Sequence, residues 1–227
     1  MNYFLYSFIA LSISFNLFAK QFKGEVTKIT DGDTIHVEAN DKTYKIRMIG
    51  MDAPEEHIAV KDKGVLSQQP WGSQATKYLE KIIPVGTKVT VEDEGTDRYK
   101  RTLGRVYYKD KDINLAMVEA GWAITYIICN GKSCNPGFFK REHVAEYVKA
   151  CEDARAKHKG IFSTKNPLKE MPFEFRMRVQ NRNPEKYVGE YPSKVTYTPE
   201  DYEEVDVCHR IFFMTKKDIE NAGFELP

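Results

Sequence analysis

Apolar and polar residues alternate in Val26-Thr27-Lys28-Ile29 and again in Thr34-Ile35-His36-Val37-Glu38, the period of two expected of strands with one buried face. Asp31-Gly32 joins these two strands. A second turn, Ala39-Asn40-Asp41-Lys42, leads into Thr43-Tyr44-Lys45-Ile46-Arg47-Met48-Ile49, a third strand. From Ser73 to Ile83 the period lengthens: Ala75, Tyr78, Leu79, Ile82 and Ile83 fall at helical spacing, with Ser73 or Gly72 as cap and Pro84 as stop. Strand spacing returns in Lys88-Val89-Thr90-Val91-Glu92 and in Leu103-Gly104-Arg105-Val106-Tyr107-Tyr108. Helices are expected over Ile113–Glu119, closed by Gly121, and from about Arg141 to Lys159, closed by Gly160. Five short strands with one inserted helix and two helices after them predict an α+β domain, a five-stranded OB-fold β-barrel with three flanking helices.

Two segments lie outside this pattern. Met1 to Ala19 holds no charged side chain and is dominated by Phe, Leu, Ile, Tyr and Ala, which reads as a signal peptide, or as an uncleaved anchor just short of a bilayer span. Either reading places the remainder in an extracytoplasmic compartment, periplasmic or secreted. After Lys165 the chain is rich in Pro, Glu, Tyr and Arg, and no strong period returns before His209-Arg210-Ile211-Phe212-Phe213. The expected organisation is thus 1–19 leader, 20–165 barrel domain and 166–227 C-terminal extension.

Charge excludes one class of function. With 34 Lys and Arg against 33 Asp and Glu in 227 residues, the net charge of +1 creates no global field to draw the protein onto a polyanion. Affinity for nucleic acid must come from local basic groups or a bound cation. The four cysteines are an even set, and in an oxidising compartment two disulfides are expected. Cys129 and Cys134 flank a turn-like Asn130-Gly131-Lys132-Ser133, which leaves Cys151 with Cys208; a four-cysteine zinc site is the alternative, although no CxxC pair is present. The five histidines have no metal-ligand spacing and receive no role.

Three polar clusters carry the candidate chemistry: Asp31-Gly32-Asp33-Thr34, then Arg47 through Asp52-Ala53-Pro54-Glu55, then Asp97-Arg98-Tyr99-Lys100-Arg101. Taken singly, each is an ordinary turn or a solvated charge. Their order and spacing together resemble the two signature segments of the staphylococcal nuclease family. The first has DGDT followed by an arginine five residues before an Asp-x-Pro-Glu run. The second has Asp-[Lys/Arg]-Tyr-Gly-Arg, and here Lys100 stands where that pattern has glycine. If a positive φ is required at that position, lysine strains the loop by about 1–2 kcal/mol. Gln69-Pro70-Trp71-Gly72 is a further point of likeness, and the resemblance covers roughly residues 22–162.

The resemblance implies a calcium-dependent phosphodiesterase acting on DNA and RNA with little sequence preference. Hydrolysis of a phosphodiester passes through a five-coordinate phosphorus more negative than the starting anion, so a hard cation and planar guanidinium groups answer that charge. On this reading Asp33, Asp52 and the backbone carbonyl of Ala53 hold Ca²⁺, and Asp31 acts through water. Arg47 and Arg101 hold the reacting phosphate, and Glu55 orients or deprotonates the attacking water. Arg98 and Tyr99 would touch a flanking phosphate and Tyr126 would stack on a base. Glu56 to Gly64 is expected to be a mobile loop at the mouth of the site. The extension faintly resembles a small module that normally holds zinc through cysteines; those are missing here, so a metal-free appendage tied back through Cys151 is expected. The protein is expected to work as a monomer without a stable protein partner, touching a membrane only if its leader stays uncleaved. The alternative function is a catalytically silent OB-fold module that binds oligonucleotide or protein, a role that would need neither the carboxylates nor their spacing.

Overall fold

In chain order, β1 (Lys20–Asp31), β2 (Thr34–Ala39) and β3 (Lys42–Met48) form an antiparallel meander. A short β4 (Gly50–Asp52), a hairpin of β5 (Ile58–Val60) and β6 (Gly64–Leu66), and helix α1 (Trp71–Ile82) follow. Next come β7 (Lys88–Thr96), β8 (Thr102–Tyr108), β9 (Lys111–Asp112), α2 (Ile113–Glu119), β10 (Ile124–Cys129), α3 (Phe138–Arg141) and α4 (Val144–Ala156). The chain ends with α5 (Pro172–Val179), β11 (Tyr187–Glu190), β12 (Thr196–Tyr197), β13 (Arg210–Phe213) and α6 (Lys216–Ala222). This computed structural model describes residues 20–60, 63–131, 134–135 and 137–227; the leader expected over 1–19 lies outside them. Among the described residues no helix is long and apolar enough to cross a membrane.

The expected barrel is present and closed. Its strands run in the order β3-β2-β1-β7-β8, and β8 returns to β3 in parallel register through Ile46↔Thr102, Arg47↔Leu103 and Met48↔Gly104. Closure leaves these strands no free edge, and the alternating residues Val26, Ile35, Val37, Ile46, Met48, Val91 and Val106 fill the interior. Helix α1 buries Gly72, Ala75, Thr76 and Leu79 on one face. Asn114, buried on α2, donates to the carbonyls of Ile49 and Gly104 and accepts from the Val106 N–H, so a single amide fixes that helix to the barrel mouth. The helix expected over about 141–159 is α4, Val144–Ala156, set off from the short α3 before it by His143 with its left-handed φ of 53°.

The extension adds to a sheet that the barrel domain begins. β13 lies parallel to β10 through Ile127↔Ile211, Ile128↔Phe212 and Cys129↔Phe213, giving a five-stranded order β12-β11-β13-β10-β4. Ile211, Phe213, Ile219 and Phe224 belong to the same buried cluster as Val26, Ile46, Met117 and Tyr147. Within the segment expected to be a mobile loop, Glu56 to Gly64, Ile58–Val60 and Gly64 belong to the β5–β6 hairpin, and residues 61–62 lie outside the described residues. Ile58 pairs with Leu66 across the hairpin, and both pack against Phe175 and Val179 of α5.

Both expected disulfides are formed, Cys129–Cys134 and Cys151–Cys208, and none of the four thiols is left for a zinc site. The second bond spans 57 residues and ties α4 to the segment just before β13. Loop closure of that length constrains the unfolded chain by about 4 kcal/mol. The double variant Cys151→Ser/Cys208→Ser is therefore expected to lose about 2–4 kcal/mol of stability, read as a lower denaturant midpoint with an intact barrel by far-ultraviolet circular dichroism.

Candidate active site

The first acidic cluster sits where β1 turns into β2. The β1–β2 ladder shifts register between Ile29 and Asp31, a bulge that re-aims the chain into the turn. Gly32 there lies so close to its neighbours that a Cβ would meet those of Ala53 and Ala75 at 2.7 and 2.8 Å. This close approach sets Asp33 beside the second cluster. Its Oδ2 accepts from the Ala53 N–H at 3.2 Å and its Oδ1 from the Thr34 hydroxyl at 3.0 Å, while Asp31 Oδ1 accepts from the Asp33 N–H at 3.1 Å.

Arg47 reaches the same point from β3, where Thr34↔Arg47 is a register pair. Its Nη2 lies 2.6 Å from Asp52 Oδ1, and its Nη1 forms an ion pair with Asp33. Asp52 ends β4 and is held there by pairing with Ile124 of β10. Glu55 is fixed through its backbone: its N–H donates to Gln68 Oε1 at 3.1 Å and its carbonyl accepts from the Gln68 N–H at 2.8 Å. Gly72, at the start of α1, leaves room for that carbonyl, since a Cβ there would come within 2.6 Å of it.

An arginine that the sequence reading did not single out completes the group. Arg176 of α5 donates from Nη1 to Asp52 Oδ1 and from Nη2 to Asp52 Oδ2, both at 2.8 Å, and from Nη1 to Glu55 Oε1 at 2.7 Å. Two guanidinium groups thus face carboxylates that water barely reaches: Asp33 is 3% exposed and Asp52 0%. Burial and the adjacent Asp33 push the Asp31 carboxyl up to about 7. For Asp33 burial acts in the same direction, but Arg47 and Arg176 outweigh it and hold its pKa below the usual range. Burial raises Glu55, with Arg176 opposing.

The third cluster forms a separate loop. Asp97 Oδ1 accepts from the Tyr99 and Arg101 N–H groups at 2.8 and 2.9 Å, and its Oδ2 accepts from Arg101 Nε at 2.8 Å. Among the described residues, none of Arg101's hydrogen bonds reaches the carboxylate group. Tyr99 is 62% exposed, with the Arg98 guanidinium 4.9 Å from its ring centroid. Tyr126 is half-buried, packed by Phe173 and Phe212 with ring centroids at 5.7 and 4.8 Å, and the Arg176 guanidinium lies 5.9 Å from its centroid.

Among the described residues, no group of three or more His, Cys, Asp and Glu side chains is arranged to hold a metal ion. What the site offers is two buried carboxylates, Asp33 and Asp52, with the Ala53 backbone beside them. These hard oxygen donors match a cation such as calcium in kind. Both oxygens of Asp52 carry guanidinium hydrogen bonds.

The family of staphylococcal nuclease homologues matches residues 45–164. The chain belongs to this family. It is 34% identical over 209 residues to Endonuclease YhcR of Bacillus subtilis, covering 90% of this chain and 17% of that protein's length. It is 31% identical to an uncharacterized endonuclease of Haemophilus influenzae, covering 77% of this chain and 83% of the relative. It is 32% identical to a micrococcal nuclease of Shigella flexneri, covering 70% and 83%. Residues 166–227 make up more than a quarter of the chain, so the match to the Bacillus protein has to run through part of the extension.

Lys100, where the family pattern has glycine, has a φ of 62°, the left-handed conformation that costs a side chain about 1–2 kcal/mol. Lys100→Gly relieves that strain and gives back part of the gain through glycine's greater freedom when unfolded. A net increase of about 0.5–1 kcal/mol is expected, measured by urea denaturation.

Proposed function

We propose that this protein is a calcium-dependent endonuclease that hydrolyses phosphodiester bonds of DNA and RNA with little sequence preference. The observation that carries this reading is the convergence of Asp33, Arg47, Asp52 and Glu55 at one mouth of the barrel, in a chain that belongs to a nuclease family. A module that only bound oligonucleotide would gain nothing from several buried carboxylates beside a phosphate. The two disulfides support work in an oxidising, extracytoplasmic compartment. We assign the chemistry to residues 20–165 acting as a monomer.

Asp33, Asp52 and the Ala53 carbonyl would hold the cation, with Asp31 behind them acting through water. When bound, calcium supplies Lewis-acid neutralisation of the phosphate oxygens. Arg47 turns its fork from the carboxylates to the reacting phosphate, and Arg101 approaches the same group from the loop before β8. Glu55 accepts the proton of the attacking water as its oxygen bonds to phosphorus. The 5′ P–O bond breaks on the opposite side, and the departing oxygen takes a proton from solvent. Arg98 and Tyr99 engage the flanking phosphate and Tyr126 the neighbouring base.

Digestion of single- and double-stranded DNA and of RNA, with calcium and with a chelator, tests this reading. Cleavage is expected with calcium only. Glu55→Gln should lower the rate roughly 10²–10⁴-fold through loss of the base. Arg47→Lys keeps the charge but loses the planar fork, and should cost roughly 10²-fold or more. Folded wild-type protein that cleaves nothing in any divalent metal would point to the silent OB-fold module instead.

A further inference from the structure

We propose that Arg176 of the C-terminal extension is a positioning residue of the active site that competes with the cation for Asp52, so that the extension sets the cation concentration at which the site loads. The proposal rests on the metal-dependent reading above. It goes beyond it because Arg176 lies outside residues 45–164, the part of the chain that matches the family.

The argument begins with space and charge. Asp52 is completely buried, so a cation meets its oxygens only by way of the side chains packed around it. Arg176 takes both of them in a two-pronged arrangement at 2.8 Å, and Arg47 adds a further bond to Oδ1 at 2.6 Å. Calcium needs carboxylate oxygens at about 2.3–2.6 Å. A doubly charged ion at that distance would lie against a guanidinium held on the same two atoms, and like charges in a water-poor site repel strongly. Loading therefore requires Arg176 to leave at least one Asp52 oxygen. The protein loses a charge-assisted bidentate pair in doing so, and that loss weakens apparent cation affinity.

The helix that carries Arg176 is anchored on both flanks, so the exchange is a side-chain movement. Phe173 packs with Val188, Val205 and Phe212, while Phe175 and Val179 pack with Ile58. Glu174 accepts from the Met171 N–H at 2.9 Å at the helix start. Arg176 itself sits between these anchors with its side chain 22% exposed, leaving room to swing. Its Nη1 serves Glu55 Oε1 at 2.7 Å as well as Asp52 Oδ1, whereas Nη2 serves Asp52 Oδ2, so Nη2 can leave while Nη1 keeps Glu55. Once displaced, the guanidinium remains beside Glu55 and keeps that carboxylate oriented. The same contacts clamp Asp52 and Glu55 together.

Calcium titration by isothermal calorimetry reads this directly, with no nucleic acid present. The proteins are wild type, Arg176→Gln, Arg176→Lys and Arg178→Gln. Arg178 shares the helix, but its side chain is 62% exposed and pairs with Glu170, so it controls for the loss of a nearby charge. Arg176→Gln should bind calcium at least about tenfold more tightly than wild type. Arg176→Lys should fall between them, because lysine supplies a point charge without the fork. Arg178→Gln should match wild type. Arg176→Gln should also melt lower than wild type in chelator and gain more from calcium, since ligand stabilisation grows with the logarithm of the ligand concentration divided by Kd. Equal or weaker calcium binding by Arg176→Gln overturns the proposal, as does equal tightening in Arg178→Gln. If Arg176→Gln does not fold, Arg176→Lys decides by the same criterion. Absence of calcium binding in folded wild type and variants alike would overturn the metal-dependent reading, and the competition with it.

Discussion

Four carboxyl groups, those of Asp31, Asp33, Asp52 and Glu55, are packed together where water has little access, and the fold around them is organised to make that tolerable. Removing a carboxylate from water costs several kcal/mol unless charge and hydrogen bonds replace the lost solvation. Here the replacement comes from every side. Backbone N–H groups of Asp33 and Ala53 and the Thr34 hydroxyl donate to the aspartates, and Arg47 and Arg176 bring positive charge. Asp31, which has neither arginine as a hydrogen-bonding partner, is the one pushed up to about 7, chiefly by burial and then by Asp33.

Meeting this constraint takes two stretches of chain that are near each other in sequence and a third that is far from both. The β1–β2 turn and the β3–β4 segment are brought together by the antiparallel β2–β3 pairing, which sets Thr34 opposite Arg47, and barrel closure through β8 sets Arg47 opposite Leu103. The third is α5, 124 residues beyond Asp52. Its placement depends on β13 lying along β10, on the Cys151–Cys208 bond, and on the hairpin that offers Ile58 to Phe175. The extension is therefore coupled to the site through packed apolar contacts, and its charged contact lies at the end of them.

What could be read in the sequence was what is local. Strict alternation marked the three strands of the meander, and the helical spacing of Ala75, Leu79 and Ile83 marked α1, because in each case one face is buried and the other is wet. The acidic clusters and Arg47 could be identified because they fall in short motifs near one another along the chain. Arg176 could not. Phe173, Phe175, Met177 and Val179 alternate like a strand, yet the segment is a helix. A helix buried on two flanks, Phe173 in one cluster and Phe175 with Val179 in the other, no longer shows the single apolar stripe from which a period of 3.6 is recognised. Pro172 at the helix start, Glu174 bonding back to Met171 and the basic Arg176 and Arg178 in the last turn are local signals, and all are short-range.

The same reasoning explains why the hairpin within the segment from Glu56 to Gly64 did not show in the sequence. Its partner surface, Phe175 and Val179, comes from the extension, so within the nuclease motif alone the hairpin has nothing to bury against. The strand pair and α5 pack against each other through Ile58, Leu66, Phe175 and Val179. The guanidinium that faces the carboxylates is then held by an element stabilised independently of the charges it meets. That separation matters physically: the apolar anchors of α5 fix where Arg176 starts, while the balance of charge at Asp52 decides where its side chain ends. Exchange at the carboxylates can then proceed without unpacking the core that holds the helix.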